Sequence, residues 1–129
     1  MILVDTSVIV AWLDPDHDAH AACTEALEKW AAREPLAVSS VTYAELAAGA
    51  RTQDAVDEAL EGFQRLNLDF AAAWRAGQAF RQSRPAQKAD VAVLPDFFIR
   101  AQAATQNLPH LTHDRRRIRN WPDVEFEFV

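Results

Sequence analysis

What this chain lacks narrows it quickly. A single cysteine, Cys23, excludes an internal disulfide and any cysteine-rich zinc site. Only three of the 129 residues are glycine and half are hydrophobic, which excludes low-complexity and disordered chains and leaves enough apolar material for a core. No uninterrupted apolar run nears the roughly 18–20 residues that cross a bilayer. The opening Met-Ile-Leu-Val-Asp has neither the basic region nor the cleavage site of a signal peptide. The expectation is a soluble, cytoplasmic protein with no membrane partner, folded as one domain over residues 1–129. Lysine is scarce too, at positions 29 and 88 alone, so arginine supplies nearly all of the 13 basic residues. A net charge of −6 excludes nucleic-acid binding by bulk charge. A local basic surface remains open, and Arg115, Arg116, Arg117 and Arg119 are its densest source. Each planar guanidinium can bind two phosphate oxygens at once.

What is present reads as short extended runs alternating with helices. Ile2-Leu3-Val4 is an apolar run closed by Asp5, as in a buried strand. Val8, Ile9, Trp12 and Leu13 recur at helical spacing until Asp14-Pro15-Asp16, and a second helix fits Ala19 to Ala32. Leu36 to Ser39 reads as a strand, followed by a helix from Tyr43 to Ala50 capped by Ser40 or Thr42. Val56, Leu60, Phe63 and Leu66 predict a helix over Asp54 to Leu66, with a brief strand near Leu68 and Phe70. Phe70, Trp74, Gly77 and Phe80 mark the next helix, and Pro85 to Val93 reads as a loop with a short extended piece. Pro95 opens a helix to about Gln106; His110 to Thr112 and Val124 to Phe128 complete the strands. Tryptophans 12, 30 and 74 fit a core. Such alternation implies a three-layer α/β/α fold with a mostly parallel central sheet.

In such folds ligands gather where the strands end, and four acids fall there. Asp5 follows the first strand and Asp114 the strand ending at Thr112; Glu45 and Asp96 sit in the first turns of helices. Helix-dipole stabilisation accounts for acids at helix starts without any function; Asp5, directly after a buried run, is harder to explain that way, although a capping role is open to it. Together they suggest more. Two carboxylates about 4 Å apart repel by roughly 4 kcal/mol at an effective dielectric of 20, so four in one pocket need a cation or protons. Hard divalent ions, Mg²⁺ or Mn²⁺, suit such oxygens, and the chemistry that follows is phosphodiester hydrolysis by metal-activated water.

Four segments occur in order: Ile2-Leu3-Val4-Asp5-Thr6-Ser7, Thr42-Tyr43-Ala44-Glu45-Leu46, Leu94-Pro95-Asp96-Phe97-Phe98-Ile99 and Leu111-Thr112-His113-Asp114. This pattern resembles the PIN-domain family, and within it the VapC toxins of VapBC toxin–antitoxin pairs, over almost the whole chain. The resemblance implies a PIN-like fold, a Mg²⁺- or Mn²⁺-dependent endoribonuclease, a homodimer, and a VapB-type antitoxin that holds it inactive. By it, Asp5, Glu45, Asp96 and Asp114 match the catalytic quartet, with Asp5 and Asp96 as metal ligands. Glu45 would help hold the metal or orient the water, and Asp114 would complete the site, with Thr6 and Thr112 directing the carboxylates. Two departures stand out. Ser7 replaces a common asparagine, and Arg117-Ile118 replace an acid and a phenylalanine, which weakens the case for a second metal.

Arg100, four residues after Asp96, shares its helix face, and three roles are open to it: balancing the pocket's charge, reaching the antitoxin, or joining Arg115, Arg116, Arg117 and Arg119 as a candidate RNA contact. His17, His20 and Cys23 lack the fourth ligand that zinc wants. Three rivals share parts of the pattern: a PIN-like module that binds RNA or protein without cleaving, a metal-dependent DNA nuclease, and a phosphatase using Asp5 as nucleophile. The last usually wants an acid two residues on, where Ser7 stands.

Overall fold

The computed structural model describes residues 1–83 and 92–129. The elements run β1 (Ile2–Val4), α1 (Thr6–Leu13), α2 (His20–Ala31), β2 (Leu36–Ser39), α3 (Ser40–Gly49), α4 (Gln53–Ala59), β3 (Gln64–Leu66), α5 (Phe70–Ser83), α6 (Pro95–Thr105), β4 (His110–Thr112), a 3-10 turn (Ile118–Asn120) and β5 (Phe126–Phe128). The strands lie in the order β3-β2-β1-β4-β5, and every pairing is parallel. None of the described helices is long and apolar enough to cross a membrane.

β1 is central and wholly buried, and its alternation divides the core. Ile2 and Val4 join Val8, Ile9, Cys23, Leu27, Val56 and Leu60 on the face covered by α1, α2 and α4. Leu3 joins Ala72, Ala76, Phe80, Phe97, Ile99 and Trp121 on the face covered by α5 and α6. Each of these β1 side chains contributes about 2 kcal/mol by leaving water, so the strand that carries Asp5 is firmly fixed. On the second face, Phe97 meets Phe80 edge-on at 5.3 Å and Trp121 at 6.0 Å between ring centroids. That stack ties the chain after β4 to α6.

Several local expectations change. The cap of α3 is Ser39, whose side chain accepts from Val41 N–H at 3.1 Å, so the helix begins at Ser40 and neither Ser40 nor Thr42 caps it. Ser40 instead accepts from Leu68 N–H. Asp54 to Leu66 is not one helix: α4 ends at Ala59, Gly62 turns at φ +88°, and the edge strand β3 follows. No strand forms at Leu68–Phe70; Phe70 opens α5, with Asp69 accepting from Ala72 N–H at 2.8 Å. The last strand is the shorter Phe126–Phe128. Trp74 is 71% exposed, and the deeply buried tryptophan is Trp121. The loop expected over Pro85 to Val93 lies outside the described residues as far as position 91.

Candidate active site

The strand order turns back between β1 and β4: β2 and β3 build outward from one, β5 from the other. A crevice opens beyond the carboxyl ends of the strands at such a switch point. Here it is a cleft of about 500 Å³ whose lining includes Asp5, Glu45, Asp96 and Asp114 together. Thr6, Ser7, His17, His113, Arg116 and Arg117 also line it. The four acids proposed from sequence therefore meet in one hollow.

Asp5 is both a cap and a cleft residue. It is the N-cap of α1, accepting from Ser7 N–H at 3.2 Å. The same oxygen, Oδ2, accepts from the Ser7 hydroxyl at 2.5 Å and the Thr112 hydroxyl at 3.1 Å. Oδ1 faces His110 Nε2 at 3.7 Å. His110 is completely buried and donates from Nδ1 to the Leu3 carbonyl, which fixes the ring. Burial by itself would raise the pKa of Asp5. The imidazole of His110 and the hydroxyls of Ser7 and Thr112 outweigh it and hold the carboxyl well below the usual carboxylate range. The ionised form of Asp5 is thus the favoured one.

Glu45 reaches the cleft from α3, where the Thr6 hydroxyl donates to its Oε1 at 2.7 Å and lies 2.9 Å from the Thr42 hydroxyl. Desolvation at the cleft wall pushes the Glu45 pKa up; Thr6 opposes this, and the charges of Asp5 and Asp96 add to it.

Asp96 and Asp114 are held by cations instead. Asp96 Oδ2 lies 2.8 Å from Arg117 Nη2 and 3.6 Å from Arg100 Nη1. Asp114 takes a two-pronged grip from Arg116, with Nε at 3.0 Å from Oδ1 and Nη2 at 2.9 Å from Oδ2. That grip holds Asp114 below its ordinary pKa despite partial burial. Thr112 links the two flanks: its oxygen accepts from Asp114 N–H at 3.0 Å while its proton goes to Asp5.

Arg100 fits one expectation, charge balance beside Asp96 at 3.6 Å, and corrects another, RNA contact. Its side chain is wholly buried, donating to the backbone carbonyls of Arg116 and Asp114 at 2.5 and 3.0 Å. It props up the loop after β4 and has no surface for RNA. Arg115, Arg116 and Arg119 are exposed, with Arg115 lying over the Phe128 ring at 4.3 Å, and Arg117 is half-buried. Ser7 and His110 were missed as site residues. Ser7 also accepts from His113 N–H at 3.1 Å, a contact across the sheet that no local spacing signals. His110 did leave a trace, since a histidine within a doubly covered parallel strand needs a polar partner.

Among the described residues, no three His, Cys, Asp or Glu side chains form a finished metal cage. The donor chemistry still fits a hard divalent ion: four carboxylates with hydroxyl groups beside them, and no thiolate, on one cleft. Two of those carboxylates already hold guanidinium cations.

The sequence profile of the PIN domain matches residues 2–123. The fold is similar to the crystal structure of VapBC2 from Rickettsia felis bound to a promoter DNA fragment. That match has a TM-score of 0.75 and 19% identity, covering 100% of this chain and 99% of that one. A toxin–antitoxin complex from Klebsiella pneumoniae is similar at TM-score 0.71 and 25% identity, covering 96% and 95%. FitAcB from Neisseria gonorrhoeae is similar at TM-score 0.67 and 26% identity, covering 100% and 97%. No curated protein matches the chain in sequence.

Proposed function

Because the chain belongs to the PIN-domain family, we propose that it is the toxin of a VapBC-type toxin–antitoxin pair, an endoribonuclease dependent on Mg²⁺ or Mn²⁺. The observation that carries this is the meeting of Asp5, Glu45, Asp96 and Asp114 in one cleft at the switch point of a parallel sheet. A divalent ion held by Asp5 and Asp96 supplies, when bound, an acidified water and positive charge for the phosphate oxygens.

The chain's own residues then have distinct tasks. Ser7, Thr112 and His110 hold Asp5 ionised and immobile, so it needs no reorganisation to receive positive charge. Glu45 is the residue suited to take a proton from water, because its raised pKa brings it nearer to neutrality than an ordinary glutamate. Thr6 engages Oε1, leaving Oε2 for that proton. Asp114 completes the acidic wall, and its pairing with Arg116 fixes its direction. The exposed Arg115, Arg116 and Arg119 are the phosphate contacts beside the cleft. A VapB-type antitoxin is the proposed partner, supported by the toxin–antitoxin complex from Klebsiella pneumoniae that shares the fold at 25% identity. A homodimer is proposed on the family resemblance alone.

The test is cleavage of a mixed RNA panel, with matched DNA, in Mg²⁺, Mn²⁺ or chelator. Metal-dependent RNA cleavage is expected, falling to background in Asp5→Asn and in Asp96→Asn. Cleavage of DNA alone would make the chain a DNA nuclease, and no cleavage with any metal would make it a binding module.

A further inference from the structure

We infer that the Arg117 guanidinium occupies the cation position of Asp96, so that a divalent ion must displace it before Asp96 can serve fully as a ligand. The inference deepens the proposed metal-dependent reading of the cleft and rests on it. Its geometry is direct. Nη2 of Arg117 lies 2.8 Å from Asp96 Oδ2, inside the cleft that all four carboxylates line. A divalent ion on the same oxygen would meet a like charge at contact distance, so ion and guanidinium compete.

Arg117 holds this position in an unfavourable pose. Its backbone is left-handed, at φ 58° and ψ 20°, a region that costs any residue with a Cβ. Its Nε is buried without a hydrogen-bond partner among the described residues. Against those costs stand the Asp96 pair and the Phe97 ring, 5.5 Å from the guanidinium carbon. A strained residue maintained by a charge contact at a reactive site is a natural exchange point. Arg117 also lines a second hollow of about 450 Å³, shared with Arg115, Ile118 and Arg119. Arg116 does not play this part, because its side chain is 73% exposed and its pair with Asp114 is already open to water.

Mn²⁺ binding to the metal-stripped full chain, followed by calorimetry and by the manganese paramagnetic resonance signal, tests this without any turnover. Arg117→Ala should bind Mn²⁺ about tenfold more tightly than the parent chain, equivalent to roughly 1.4 kcal/mol. Arg117→Gly should do the same while relieving the left-handed backbone, which guards against a variant that merely folds badly. In an Asp96→Asn background, removing Arg117 should no longer tighten binding. If both Arg117 variants bind as the parent does, or more weakly, while Asp96→Asn weakens binding, the inference is overturned and the metal site stands. If neither the parent nor any variant binds Mn²⁺, the metal reading falls and takes the inference with it.

Discussion

On the β1 flank of the cleft, Asp5 is 5% exposed, is held by two hydroxyls and a backbone N–H, and faces the buried His110 ring at 3.7 Å. On the α6 flank, Asp96 and Asp114 are more open and are held by Arg117, Arg100 and Arg116. Both flanks carry carboxylates, but they neutralise them differently. The hydroxyl and N–H donors on Oδ2 hold the Asp5 carboxylate in place without cancelling its charge. Guanidinium groups cancel the charge and must be moved aside or shared. The comparison teaches that one cleft can hold a carboxylate fixed by hydroxyls and carboxylates latched by guanidinium groups side by side.

The largest effect should come from the latched flank. Arg100→Met removes a fully buried charge and the donors to two loop carbonyls, and should cost about 3 kcal/mol of unfolding free energy in denaturant titration. A loss below about 1 kcal/mol would mean that the loop after β4 does not depend on it. Thr112→Val strips one donor from Asp5 in buried surroundings and one acceptor from Asp114 N–H in half-buried ones. It should cost about 1–3 kcal/mol, and no cost would break the claim that hydroxyls fix the β1 flank.

Glu45 sharpens the comparison through pH. Its folded pKa is raised above the unfolded value of about 4.3, so the folded chain binds the extra proton in the window above that value. Stability present below the window is lost as pH rises through the folded pKa. Metal-free Glu45→Gln should therefore match the parent near pH 4 and exceed it at pH 7 in urea midpoint; the reverse order would refute the raised pKa. The smallest effect is expected from Arg116→Ala, an exposed pair worth less than about 1 kcal/mol. Thermal unfolding should barely move.

Much of this was legible in the residues. β1, β2 and β4 fall on the expected runs because short apolar segments in a doubly covered sheet stand out from helical spacing. The Asp54–Leu66 reading failed because Val56, Leu60 and Phe63 keep a helical interval across the turn at Gly62, while β3 is an edge strand with exposed Gln64 and Arg65 and no apolar signature. Arg100 was placed on the correct helix face with Asp96, yet spacing cannot tell whether that face meets water or a loop. Ser7 looked incidental because its contacts with Thr112 and His113 cross more than a hundred residues.

The sequence by itself determined where Asp5, Asp96 and Asp114 stand along the chain, at a strand end or in the first turn of a helix, because caps and short apolar runs are local properties; Glu45 lies a turn deeper than expected, since α3 begins at Ser40. Only the tertiary structure decided what each acid faces. His110 and Thr112 meet Asp5 across the sheet, and Arg117 from the loop after β4 meets Asp96 on α6. Electrostatic energy depends on distance in space, and folding sets that distance independently of separation along the chain.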